Sequence, residues 1–173
     1  MSRTILSGYR ILVVDDNEDS LEVTGLTLEV SGAGVQMARS VEEALVLLRG
    51  GPPSVLVSDL SMPGEDGYSL CRRLRALPAP YSTLPAVALS GFASEADRVA
   101  AREAGFTIHL AKPVEPAHLV AVVASLAERA RAANDLDEPT LPPCTVRTSV
   151  PPSRGPTLLP SQLQAALGFA GDR

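Results

Sequence analysis

The sequence predicts an α/β fold: one doubly wound sheet of five parallel strands in the order 2-1-3-4-5, with helices on both faces. Three observations carry this. Five short apolar runs alternate with five helical periodicities between residues 9 and 132, the pattern of a parallel sheet with crossover helices. Right-handed crossovers restrict such a chain to doubly wound forms. No Gly-x-Gly-x-x-Gly follows the first run, which disfavours the dinucleotide-binding version.

The elements follow in order. Tyr9 to Val14 is rich in β-branched residues and stops at Asp15-Asp16-Asn17, so it reads as a strand ending in two carboxylates. Leu21, Gly25 and Leu28 then lie on one helical face, with Gly32 as the residue beyond the helix end. Gly34 to Ala38 is the second strand. Ser40 and Glu43 form a capping box for a helix lined by Ala44, Leu47 and Leu48, and Gly50-Gly51-Pro52-Pro53 ends it. The third strand, around Val55-Leu56-Val57-Ser58-Asp59, is apolar enough to be buried on both faces. Asp66 to Ala76 is a helix burying Leu70, Leu74 and Cys71, while Arg72, Arg73 and Arg75 read as its solvated face. Ala86 to Leu89 is the fourth strand, ending at Ser90-Gly91. Ser94 and Asp97 open a fourth helix that closes at Gly105. Phe106 to Leu110 is the fifth strand, just before Lys112-Pro113. Pro116 starts a last helix with the stripe Leu119, Val122, Val123, Leu126 and Ala130.

These elements give three regions: residues 1–8 as a flexible N-terminus, 9–132 as the folded domain, and 133–173 as a Pro-rich, disordered tail. Seven of the 15 prolines fall between Pro139 and Pro160, and about 40 residues are too few for a second core. Near the end, Leu163 and Leu167 stand at helical spacing after Ser161, which reads as a leftover amphipathic fragment before it reads as a docking helix.

Composition excludes several classes. A net charge of -5 over 173 residues argues against a nucleic-acid partner, which needs a basic face. Cys71 and Cys144 belong to no Cys-x-x-Cys or Cys/His cluster, consistent with a reduced cytoplasmic setting. No apolar run is long enough to span a bilayer, and Met1 to Gly8 lacks a signal-peptide core, so no membrane partner is expected.

Asp15, Asp16, Asp59, Ser90 and Lys112 all fall at strand ends. Parallel strands direct those ends into one crevice, where ligands bind in open α/β sheets. Taken singly, each residue has an ordinary reading: a solvated turn, a turn serine, a surface lysine. Together they crowd three carboxylates that require a cation. Oxygen-only ligands suit Mg²⁺ held by one or two carboxylates plus a phosphate. Lys112 and the Ser90 hydroxyl can then meet phosphoryl oxygens. The set predicts phosphorylation on an aspartate.

Asp15-Asp16, the segment Asp59-x-x-Met62-Pro63-Gly64-x-Asp66-Gly67, Ser90-Gly91 and Lys112-Pro113 resemble, in this order, the receiver domain of two-component response regulators, over about residues 9 to 130. The resemblance implies a flavodoxin-like fold, and a phosphohistidine donor on a sensor histidine kinase or phosphotransfer protein. Asp59 becomes the phosphoacceptor. Asp16, Asp59 and the main-chain carbonyl of Ser61 become direct Mg²⁺ ligands, with Asp15 acting mostly through water. Ser90 moves to the phosphoryl group, Lys112 bridges to it, and the Lys112–Pro113 bond is cis. A downstream protein would bind the face made by the fourth helix, fifth strand and fifth helix, and the chain would be a monomer or weak homodimer. Ser61 and Phe92 occupy positions that tune dephosphorylation in the family.

One position departs from the family pattern. The switch residue three before the lysine is usually Tyr or Phe, and here it is His109, which is smaller and polar. A titrating imidazole there would make the switch pH-dependent. The function expected is a phosphorylation switch, not an enzyme, with no DNA-binding or catalytic output domain. Two other functions compete with it. A haloacid-dehalogenase-type phosphatase also uses Asp, Mg²⁺, Ser/Thr and Lys, but its nucleophile lies in Asp-x-Asp, whereas Asp59 is followed by Leu60-Ser61. A phosphate-independent pseudo-receiver would not need the complete residue set.

Overall fold

The structure is a computed structural model and describes residues 4–91 and 94–136. Its elements alternate: β1 (Arg10–Val14), α1 (Glu18–Val30), β2 (Gly34–Ala38), α2 (Val41–Leu48), β3 (Val55–Asp59), α3 (Gly67–Arg75), β4 (Ala86–Ser90), α4 (Glu95–Ala104), β5 (Ile108–Ala111) and α5 (Pro116–Leu136). The five strands form one parallel sheet in the order β2-β1-β3-β4-β5. This is the predicted doubly wound arrangement, with β3 at its centre.

Side-chain alternation along the strands builds two separate cores, because successive residues of a strand face opposite sides. Leu12, Val14, Leu56, Ala86 and Ala88 point to one side and pack on α2, α3 and α4 through Leu45, Leu70, Leu74 and Ala101. Ile11, Val13, Val55, Val57, Val87 and Leu89 point to the other and pack on α1 and α5 through Leu21, Leu28, Leu119 and Val123. Every residue of β3 and β4 is buried, as strands covered on both faces must be.

The helix starts are capped by short polar side chains that satisfy otherwise orphaned N–H groups. Asn17, Ser40, Asp66 and Ser94 accept from the backbone N–H groups of Ser20, Glu43, Ser69 and Asp97. The Glu43 carboxylate accepts from Arg39 N–H, one residue earlier than a standard capping box would place it. In α2 the buried stripe runs through Val41, Ala44, Leu45 and Leu48, while Leu47 is only partly covered. Gly105 ends α4 at φ 103°, where glycine is favoured, and Phe106 N–H returns to the Ala101 carbonyl. Phe106 therefore belongs to the helix end, and β5 begins later than its apolar run indicates.

Three expectations need correction. Residues 4–8 are not loose: Leu6 is fully buried against the α1–α5 side, and its N–H donates to the Ser31 carbonyl at 2.9 Å. The last helix does not stop at 132 but continues to Leu136, through alanines that favour helix and with no Gly or Pro before Pro139. The rest of the tail, with Leu163 and Leu167, lies outside the described residues. Arg75 is not part of a solvated face. Its guanidinium donates to the Gly105 carbonyl from Nε at 3.0 Å and Nη2 at 2.6 Å, and to the Ser82 carbonyl at 3.1 Å.

Gly67 opens α3 directly beneath the last residue of β3. A Cβ built there would overlap the Asp59 carbonyl oxygen and stand 3.0 Å from Ser58 Oγ. Relief would require moving backbone in the fully buried central strand. Gly67→Ala is therefore expected to cost about 1–3 kcal/mol, the usual range for overpacking. Urea unfolding checks this, and an unchanged midpoint would refute the close approach.

Candidate functional site

The site forms where the C-terminal ends of β1, β3, β4 and β5 meet. Asp15 follows β1 and continues its ladder, donating its N–H to the Ala38 carbonyl at 3.1 Å. Asp59 and Ser90 are the last residues of β3 and β4. Lys112 follows β5, and its backbone N–H donates to the Ser90 carbonyl at 2.7 Å. The Lys112–Pro113 bond is cis.

Asp15, Asp59 and Ser90 are 2 %, 5 % and 3 % exposed, so both carboxylates are largely withdrawn from water. An unpaired buried carboxylate is costly. Here Lys112 Nζ lies 2.7 Å from Asp15 Oδ2 and 2.5 Å from Asp59 Oδ1, one ammonium serving two anions. Asp59 Oδ2 accepts from Ser61 N–H at 2.7 Å. Asp15 Oδ1 accepts from Asn17 N–H at 3.0 Å, and its Oδ2 also accepts from Ser20 Oγ at 2.7 Å. Ser20 Oγ lies 3.3 Å from Lys112 Nζ as well. Ser20 is the site residue that sequence reading missed. Its signal is position alone: it sits in the first turn of α1, five residues after Asp15.

Partial burial pulls the Lys112 ammonium down, but the hydrogen bonds and charges of Asp15 and Asp59 outweigh it and leave its pKa above the ordinary 10.5. A base with a raised folded pKa contributes stability below its unfolded pKa and loses it as pH rises through the folded value. The pairing is therefore intact throughout the neutral range.

Asp16 and Ser61 stand at the exposed rim, beside the buried pair and not in it. Among the described residues, no group of three or more His, Cys, Asp or Glu side chains is arranged to hold a metal ion. The donor chemistry nonetheless fits Mg²⁺. Two carboxylates share one lysine, so an excess of negative charge remains beside Asp16, and all the donors are oxygens. Mg²⁺ needs only one or two carboxylates, with waters completing its shell.

The chain matches the family described as "Response regulator receiver domain" over residues 11–124. It belongs to that family. A protein of Leptolyngbya boryana, described as an uncharacterized 14.6 kDa protein in the sodA1 3' region, is 47% identical over 118 residues, covering 68% of this chain and 89% of that one. The response regulator MprA of Mycobacterium sp. (strain KMS) is 35% identical over 132 residues, covering 76% of this chain and 56% of that protein. The chain thus spans nearly the whole of the first and little more than half of the second. Among solved structures, a putative response regulator from Chloroflexus aurantiacus J-10-fl is 38% identical with a TM-score of 0.67, covering 70% of this chain and 98% of that one. The receiver domain of a histidine kinase from Syntrophus aciditrophicus is 28% identical with a TM-score of 0.61, covering 82% and 100%. The fold is thus the flavodoxin-like receiver fold of two-component signalling, a signalling domain and not a classical enzyme. No helix among the described residues is long and apolar enough to cross a membrane.

In this receiver His109 sits on β5 opposite Ala88 of β4, partly buried. Its Nε2 is enclosed and has no hydrogen-bond partner among the described residues. Burial and then the Arg98 charge push its pKa below the ordinary 6.5, against a smaller opposing effect of Asp97. Phe92 lies outside the described residues.

Two outcomes follow from these charges. Lys112→Met leaves Asp15 and Asp59 buried without a counter-charge. It should cost about 2–3 kcal/mol in metal-free buffer, below the roughly 3–5 kcal/mol of a fully buried pair because the lysine is partly solvated. Wild-type stability in that variant, read by denaturant unfolding, would contradict the double pairing. For His109 the unfolded state takes up its proton first, so folded stability is unaffected above about pH 6.5 and falls as pH drops through that value. His109→Phe should flatten the fall below about pH 6.5. Melting curves for the two proteins that decline in parallel would refute the assignment.

Proposed function

We propose that this receiver is a phosphoacceptor switch that takes a phosphoryl group from a phosphohistidine of a sensor histidine kinase, or of a phosphotransfer protein, onto Asp59. The observation that carries the proposal is the buried Asp59 carboxylate, oriented by Lys112 on one oxygen and Ser61 N–H on the other. A carboxylate fixed in this way is a positioned nucleophile. The P–N bond to the donor imidazole breaks as the P–O bond to Asp59 forms.

In this reading Asp15 orients Lys112, with Ser20 and Asn17 N–H supporting it. Asp16, Asp59 and the Ser61 carbonyl are the residues that would hold Mg²⁺, Asp15 taking part mostly through water. The bound ion would supply positive charge to the phosphoryl oxygens. Lys112 stays beside Asp59 to neutralise the new phosphoryl charge. Ser90 meets that group from the end of β4. Its carbonyl already holds the Lys112 backbone, and β4 pairs with β5 through Ala88 and His109. Ser90 and His109 thereby link the acceptor to the α4–β5–α5 face, where a downstream protein would bind. The proposed setting is cytoplasmic, and the chain acts as a monomer or weak homodimer.

Intact-mass measurement after acetyl phosphate and Mg²⁺ tests this. The expected result is one added phosphoryl group, absent in Asp59→Asn and absent when the metal is chelated. No mass gain in the wild type would refute the acceptor role. Repeated turnover of a phosphate monoester would instead identify a phosphatase.

A further inference from the structure

α1 carries two apolar stripes. Leu21, Gly25 and Leu28 face the core, as its periodicity predicts. Val23, Leu26 and Val30, spaced three and four residues apart, face outward, and each is more than half exposed, as is neighbouring Ile5. A helix that is apolar on both sides is normally covered on both. The outer stripe borders a shallow groove of about 510 Å³ lined by Ile5, Leu26, Val30, Pro116, Val120 and Ala121, among other residues. Among the described residues, no charged side chain lines it. A second groove shares Thr27 and Pro116 with the first and runs past Val23 to Lys112.

The chain itself contains a segment of matching chemistry. Residues 155–171 carry no charge, although charged residues stand on both sides of them. Within that segment Leu163, Ala166, Leu167 and Ala170 have the spacing of one helical face, after Ser161 as a cap. Reach also agrees. The groove lies about 15 residues before the end of α5, or about 23 Å along the helix. The roughly 20 residues between Leu136 and the segment have a root-mean-square span of about 25 Å as a flexible chain, longer where proline stiffens them. A tether whose span matches the distance gives the highest effective concentration of its ligand.

We propose that residues 155–171 dock in cis on the α1–α5 groove as an amphipathic segment, covering the outer stripe of α1. A small uncharged helix laid in an apolar groove is an established recognition mode. The contact does not depend on phosphorylation of Asp59, and its test does not read phosphorylation.

The experiment uses the full chain with Cys144→Ala and Asp172→Cys, spin-labelled at position 172. Cys71 is buried and stays unlabelled. Amide signals of residues 21–30 and 116–121 should lose most of their intensity in dilute, uniformly labelled protein, while those of α3 keep theirs. The loss should vanish with Leu163→Asp plus Leu167→Asp, and equally with Leu26→Asp, an exposed position whose change leaves the core intact. Losses spread evenly over the surface, or indifferent to these substitutions, would overturn the proposal. Losses that arise only when spin-labelled and isotope-labelled chains are separate molecules would overturn it too, and would assign the groove to a second copy.

Discussion

The structure depends on one ammonium held between two carboxylates that are almost out of water. Lys112 contacts Asp15 and Asp59 at once, and each of the three residues comes from a different strand end. Without the lysine, the two anions would have to separate or take up protons. With it, the ends of β1, β3 and β5 are tied together across the top of the sheet. The lysine answers only one of the two negative charges, which leaves a net negative charge at the strand ends.

That arrangement requires accurate backbone placement, and the two cores supply it. Alternating strand residues lock β3 between helices on both faces, so Asp59 has little freedom to shift along the sheet. Beneath it, Gly67 allows α3 to start against the Asp59 carbonyl, and Asp66 caps the same helix through Ser69 N–H. The residues from Asp59 to Gly67 thus hold a buried carboxylate, a tight turn and a helix start within a single short connection.

Much of this was legible in the sequence because the signals were local. Strand ends, helix caps at Ser40 and Ser94, and the turn glycines follow from neighbours a few residues apart. The meeting of Asp15, Asp59 and Lys112 was legible because parallel strands put their C-terminal ends on one edge, whatever the side chains then do there. What escaped depends on distant parts of the chain. Arg75 finds its acceptor 30 residues away at Gly105, Leu6 is buried by elements that follow it, and Ser20 matters only through Asp15 and Lys112. The outer stripe of α1 was masked by the inner one, since a helix with two apolar sides has weak periodicity.

Arg75 has a mechanical consequence for α4. Its guanidinium fastens the Gly105 end of that helix to α3 and to the segment entering β4. Buried packing in α4 is also confined to that end, at Ala101 and Ala104, while Glu95, Ala96, Arg98 and Val99 are exposed. The helix is therefore anchored like a lever at its far end, with its free arm beginning at Ser94, close behind the strand that ends in Ser90. A rigid tilt of α4 would pivot about Gly105 and carry the Ser94 end furthest.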